Sequence, residues 1–278
     1  MNVAAFSGVV FLISALAGFL GALTGLGGGV VVVPVLTLLL GVNIHYAMGA
    51  SLVSVIATSS GAAAAYVKEG FSNVRAGMLL EIATTAGAVG GAHLVSVVPV
   101  PALAIVFAAV LLYSAWHSLM EHPSNGAHSA DPLAERLRLD GTYPGPNGPI
   151  SYTVTRVKAG FGLMTLAGLL SGLLGIGSGA MKVVAMDQVM KIPFKVSTTT
   201  SNFMIGVTAA ASAGIYLRHG YITPGLAMPV MLGVLGGSLL GARQLSGANV
   251  KVLRRLFAVV IAVMAIEMVY SGVTGGLR

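Results

Sequence analysis

Lys182 is the residue of this chain best placed to do chemistry, because it stands in the first turn of a short apolar segment directly after the break Gly175-Ile176-Gly177-Ser178-Gly179. A helix N-terminus presents unpaired N–H groups and the positive end of its dipole, so it disfavours a cation and attracts an anion. An apolar membrane surrounding adds a cost of roughly 2.5–3.5 kcal/mol for the lysine. Both terms call for compensation by a bound anion or by a carboxylate, and Glu81 and Glu267 are the candidates. A second glycine run, Gly25-Leu26-Gly27-Gly28-Gly29, precedes another short apolar segment, in which Val32 takes the place of the lysine. Glycines allow a ligand to approach the backbone closely. Gly27, Gly28, Gly29, Gly177, Ser178 and Gly179 are therefore expected to contact a substrate, together with Lys182.

Each short segment is followed by hydroxyl-rich sequence: Ser51, Ser54 and Thr58 after the first, and Ser197 to Asn202 after the second. Hydroxyls and an amide donate hydrogen bonds to an oxyanion without adding fixed charge, so Ser51, Ser54, Thr199, Thr200, Ser201 and Asn202 join the expected site. The same residues can instead bond to their own helix. Other chemistries fit less well. Ser178 could act as a protease nucleophile only with a histidine at its depth, and the repeat places Gly28 at the equivalent position. Asp187 stands four residues before Lys191, the spacing of a helical ion pair. Glu81 and Glu267 could carry protons in a coupled transporter, but both fall within about two turns of segment ends, where a carboxylate can be solvated. The six histidines lack metal-ligand spacing, no ATP-handling motif is present, and no cofactor is expected.

The elements that must position these residues follow from composition. With 56 % hydrophobic and 8 % charged residues and a mean hydropathy of +0.91, the chain reads as an all-α polytopic membrane protein. Continuous rather than alternating apolar runs argue against a β-barrel. The absence of cysteine excludes disulfides and thiolate chemistry. The charge of +7 is spread singly through loops, which suits membrane orientation better than nucleic-acid binding. The N-terminus lacks a basic region and a clear cleavage site and is read as mature structure.

Apolar segments fall at about 5–24, 30–41, 45–67, 76–95 and 100–120, and again at about 157–174, 180–190, 195–217, 224–245 and 252–273. The two sets match without a gap at an offset of 150 positions, pairing Gly25 with Gly175, Ser51 with Ser201, Thr58 with Thr208, Tyr66 with Tyr216 and Gly87 with Gly237. This predicts repeat 1 over 1–120, a polar linker over 121–155 and repeat 2 over 156–278. About five segments per half is an odd number, so the halves should have inverted topology, each with a glycine-broken helix of about 11 residues. Such a helix is roughly 17 Å long, short of the roughly 30 Å hydrocarbon core. With the linker in the cytoplasm, Lys68, Arg75, Arg136, Arg138, Arg156, Lys158, Lys191, Lys195, Arg243, Lys251, Arg254 and Arg255 all lie inside, and only Arg218 and Arg278 lie outside. Both termini are then periplasmic or extracellular.

The duplicated breaks, each preceded by an Ala-Gly-rich helix end (Ala17 to Gly21, Ala167 to Gly172) and followed by a short helix and a long small-residue-rich one, resemble the sulfite exporter TauE/SafE family of bacterial permeases. The resemblance covers nearly the whole chain except the linker. It implies an inner-membrane carrier, commonly an exporter, for sulfite, sulfonates or related small anions; it supplies no site residues. The reading is a secondary transporter of a small anion by alternating access, coupled to a proton or cation gradient, and not an enzyme. An anion channel and a non-transporting structural or sensory protein are the alternatives. The expected partners are the anion, the coupling ion and the lipid bilayer, with a homodimer left open.

Overall fold

The computed structural model describes residues 3–24, 28–68, 71–119, 131–145, 148–177, 179–244 and 250–274, most of them helical. In chain order these are α1 (Val3–Thr24), α2 (Gly29–Pro34), α3 (Ile44–Lys68), α4 (Val74–Leu94), α5 (Val100–Leu119), α6 (Pro132–Arg136), strands β1 (Gly141–Gly145) and β2 (Gly148–Tyr152), α7 (Val157–Leu174), α8 (Gly179–Val184), α9 (Phe194–Arg218), α10 (Pro224–Gln244) and α11 (Val250–Val273). The short segments are helical over the expected length, but each changes character part-way. α2 continues as a π-helical turn, Val35–Leu39, and α8 as Ala185–Val189. Each turn is closed by a residue of positive φ, Gly41 (63°) and Lys191 (57°). The reversal lets Val42 N and Ile192 N donate back to the carbonyls of Leu36 and Met186. Asp187 is consequently buried in a π turn, and Lys191 lies past the helix end in left-handed backbone, so the two do not share the regular helical turn that their spacing suggested.

The order of elements recurs. α2, its π turn, α3, α4 and α5 begin 150 positions before α8, its π turn, α9, α10 and α11. Packing crosses between the two sets: α1 lies along α10 and α7 along α4, while α3 packs on α9 and α5 on α11. The first two pairs touch backbone to backbone. A Cβ at Gly91 would stand 1.9 Å from the Leu169 carbonyl oxygen of α7, and one at Gly237 1.9 Å from that of Ala15 on α1. Only glycine permits such an approach, the means by which apolar helices associate where lipid removes the hydrophobic drive.

Large apolar side chains face outward, among them Leu12, Leu16, Met78, Ile82, Val263 and Ile266. A contiguous apolar exterior is suited to lipid contact. Among the described residues, Val157–Leu174 and Pro224–Gly241 are long and apolar enough to cross a bilayer, whereas Ala5–Gly21, Gly29–Leu39, Val100–Tyr113 and Ala262–Val273 are apolar but shorter. α3 and α9 have the length, yet their hydroxyl and glycine content lowers their mean hydropathy, and they are packed against each other at the centre.

The polar linker is not wholly irregular, which departs from an all-α fold. β1 and β2 form an antiparallel hairpin with Gly141 opposite Tyr152 and Gly145 opposite Gly148. Glycine and proline concentrated around its turn explain why the stretch reads as a loop. The hairpin is docked. Asn73, whose side chain caps α4 by accepting from Ala76 N, donates from Nδ2 to the Leu139 carbonyl (2.7 Å) and to Tyr152 Oη (2.8 Å). Burial pushes the Tyr152 phenol up to about 12, so it is neutral. Thr155 N donates to the Met190 carbonyl. Asp131 accepts from Leu133 N and Val157 N, tying α6 to the start of α7, and these backbone donors hold its carboxyl below the usual range. The linker therefore sits where the α3–α4 turn and the end of the second π turn come together.

Candidate functional site

The two glycine breaks meet. A Cβ built on Gly29 would lie 2.6 Å from Ser51 Oγ, 2.8 Å from Val55 Cγ2 and 3.5 Å from the Ile176 carbonyl oxygen. Gly177, with φ at 74°, approaches the same valine: its Cβ would lie 3.0 Å from Val55 Cγ1 and 2.7 Å from Ile205 Cγ2. Val55 of α3 and Ile205 of α9 thus wedge between the breaks. Positive φ at Gly177 is the backbone conformation that favours glycine, and the missing side chain is what allows the α9 face to close on it.

One turn along α9 from Ile205 stands Thr208, and here the charge lies. Lys182 is fully buried, and its Nζ donates to Thr208 Oγ1 at 2.5 Å. Thr208 Oγ1 donates in turn to Glu81 Oε1 at 2.6 Å, and Thr85 Oγ1 donates to the same oxygen at 3.1 Å. Lys182 Nζ stands 3.8 Å from Glu81 Oε2. A hydroxyl thus bridges an ammonium and a carboxylate contributed by α8 and α4. The sequence-based position of Glu81 two turns into its helix holds, but its solvation does not: α4 is packed on α7 and α9, so the carboxylate faces protein and is 9 % exposed. Glu267 is exposed, so of the two carboxylates considered for Lys182 the fold selects Glu81.

A sequence model of the family described as "Sulfite exporter TauE/SafE" matches residues 10–268. The chain belongs to the TauE/SafE family. Its relatives include two proteins of Bacillus subtilis (strain 168): "Probable membrane transporter protein YunE", 25% identical over 276 residues (95% of this chain, 98% of that one), and "Probable membrane transporter protein YdhB", 29% identical over 236 residues (84% and 87%). "Probable membrane transporter protein ORF9" of a Sinorhizobium species is 23% identical, covering 93% of this chain and 90% of its own. No solved structure matches the chain. This is a membrane transporter of the sulfite exporter family.

The other expected site residues of this TauE/SafE protein fall into separate places. Gly27 and Ser178 lie outside the described residues. Gly28 packs on α1 and α10, where a Cβ would meet Val234 at 2.6 Å. Ser51 is at the meeting point, fully buried, and its Oγ has no hydrogen-bond partner among the described residues. Ser54 is turned back to the Ser51 carbonyl. Ser201 Oγ donates to the Gly179 carbonyl at 3.2 Å, at the start of α8. Thr199 and Thr200 are held further along, on the α3–α4 turn: Thr199 donates to the Phe71 carbonyl, and Thr200 Oγ1 accepts from Asn73 N. Asn202 accepts from Ser59 through its backbone carbonyl. Glu81, named from sequence as one of two possible partners of Lys182, was not placed in the expected substrate site, and neither were Thr85 and Thr208. The pairing of Thr58 with Thr208 across the repeat and the unmet charge of Lys182 were the signals for two of them. Thr85 had none.

Proposed function

We propose that this TauE/SafE protein is a secondary transporter that exports sulfite, organosulfonates or related small anions across the cytoplasmic membrane by alternating access, its two halves being inverted repeats around a midplane site. The observation that carries the reading is a fully buried ammonium, Lys182, one turn of α9 away from the point where the two glycine breaks touch. A buried cation whose carboxylate partner is reached mainly through a hydroxyl can exchange that partner for an external anion. Ser51, with an unpaired hydroxyl at the same junction, supplies a neutral donor. Gly29, Gly177, Gly179 and Ser201 complete the proposed site.

The inverted arrangement is supported by contacts that recur at opposite ends. Lys195 of α9 lies 4.0 Å over the Phe71 ring on the α3–α4 turn. The equivalent residue of α3, His45, stacks 4.8 Å from Tyr221 on the α9–α10 turn. Each turn thus docks on the first turn of the other half's central helix, as two antiparallel halves require. Lys191, Lys195, Arg75 and the linker arginines gather at the end where the linker docks, and Arg218 at the other, which supports a cytoplasmic linker.

In proteoliposomes the purified protein is expected to carry sulfite or methanesulfonate well above protein-free vesicles, and Lys182→Met is expected to carry less than about one hundredth of that. Wild-type protein without flux of either anion contradicts the proposal. Single-channel currents far above carrier turnover replace the carrier with a channel.

A further inference from the structure

Glu81 has a feature that anion binding at Lys182 does not use. Its Oε1 accepts from Thr208 and Thr85, while its Oε2, buried as well, receives no hydrogen bond among the described residues and lies beyond direct hydrogen-bond reach of Lys182 Nζ at 3.8 Å. A carboxylate and an ammonium in this surrounding are tolerated because they balance, and removing either leaves the other uncompensated at high cost. An anion that takes Lys182 from Glu81 creates that situation, with two negative charges sharing one positive. The remaining ionisable groups on the elements around Glu81 stand away from it along the chain: Arg75 and His93 at the ends of α4, Lys158 at the start of α7, Lys195 and Arg218 at the ends of α9, Tyr216 of α9, whose hydroxyl donates to the Gly172 and Leu173 carbonyls, and Asp187 in the turn after α8. None of them is ion-paired with Glu81 among the described residues.

We infer that Glu81 is the proton-coupling site of this transporter, its unpaired Oε2 taking up one proton whenever Lys182 takes up one anion. The inference rests on the reading of Lys182 as the substrate's cation. In the empty state Lys182 is an ammonium and Glu81 a carboxylate. Binding adds one anion at Nζ and one proton at Oε2, so the cluster changes by no net charge. Release on the other side of the membrane returns both. Anion and proton therefore travel in the same direction as an electroneutral pair, and net movement follows the product of their two gradients. An anion accumulated in the cytoplasm leaves with a proton until an inward proton gradient balances it. The repeat fixes the stoichiometry. The positions equivalent to Lys182, Glu81 and Thr208 are Val32, Met231 and Thr58, so the matching positions form no second ion pair to titrate.

The test uses proteoliposomes with an entrapped pH dye and the membrane potential clamped by potassium and valinomycin. The probes are sulfite and methanesulfonate; the second is permanently ionised, so any proton that moves with it is bound by the protein. Wild-type protein is expected to move one proton with each methanesulfonate, in the same direction, at a rate independent of the potential. Glu81→Gln, which leaves Lys182 without its carboxylate, is expected to carry no proton with whatever anion flux remains and to make that flux sensitive to the potential; Glu81→Asp should restore coupling. Proton movement retained in Glu81→Gln, absent in an active wild-type protein, or opposite to the anion overturns the coupling inference alone. Wild-type protein that carries neither probe overturns the transport reading beneath it. Should Glu81→Gln fail to fold or carry no anion, proton uptake by wild-type protein in weakly buffered detergent on adding methanesulfonate decides: one proton per bound anion supports the inference, and none overturns it.

Discussion

The segments Gly29–Leu39 and Gly179–Val189 have the same backbone plan and opposite chemistry. Both run as a short α-helix into a π turn closed by a positive-φ residue. The first is valine-rich, with Val30 to Val33 and Pro34 buried and Thr37 bonded to its own helix at Val33 and Pro34. The second carries Lys182 and Asp187 at the positions of Val32 and Thr37, both buried. The same geometry therefore occurs twice, and charge occupies one occurrence. The backbone plan tolerates either lining, because the π turn and the glycine approaches depend on main-chain contacts. The charged copy alone needs partners from elsewhere, and it draws Glu81 from the other half.

That contrast can be broken first at the ion pair. Lys182→Met leaves Glu81 buried and uncompensated, so it should abolish transport and lower stability by about 3–5 kcal/mol, read as a fall in thermal midpoint in detergent. Val32→Ala should cost about 1 kcal/mol from lost packing and leave transport largely intact. The double variant Glu81→Gln/Lys182→Met should recover most of the stability and none of the transport, because the loss comes from an unpaired charge and not from the missing side chain. Equal damage from Lys182→Met and Val32→Ala would remove the asymmetry.

Hydroxyls offer a smaller comparison. Thr208 bridges the two charges, whereas Thr58 bonds only to the Ser54 and Val55 carbonyls of its own helix. Thr208→Val should cost about 1–3 kcal/mol and Thr58→Val under about 0.5 kcal/mol, measured by the same melt. Ser201 donates to the Gly179 carbonyl while Ser51 has no such bond, so Ser201→Ala should cost about 1 kcal/mol and Ser51→Ala almost nothing in stability. Ser51→Ala should instead weaken sulfite binding, since its free hydroxyl is assigned to the substrate.

The two ends of the molecule are held by different groups. Tyr221, flanked by His45 and His219, closes one end, and the linker closes the other through Asp131, Asn73 and Tyr152. The Asp131 carboxyl is held below its ordinary value, so the stability it contributes is complete above the usual carboxylate range and is lost as pH falls through the depressed value. Asp131→Asn should therefore flatten the acid limb of linker docking, monitored by protease susceptibility at Arg136 and Arg138, and leave neutral-pH transport unchanged.

Much of this was legible in the chain. The offset of 150 positions located every paired element from Gly29 onward, because an ungapped match keeps helix boundaries in register. The anomalous position of Lys182 announced a partner. What was not legible depends on which faces meet. Glu81 reads as a near-surface carboxylate until α4 is seen packed on α9, and the bonds of Thr199 and Thr200 to the α3–α4 turn show only once those elements are placed together. The hairpin was hidden by the glycines and prolines within its strands, Gly141, Pro144, Gly145, Gly148 and Pro149.

Lys182 is proposed to bind the anion from one half of the molecule alone. Calorimetric titration of detergent-purified protein with sulfite decides this. Saturable binding is expected for wild type, within about three-fold the same for Val32→Ala, and at least about 100-fold weaker for Lys182→Met, a difference of roughly 2.7 kcal/mol. Lys182→Met binding sulfite as tightly as wild type would contradict it.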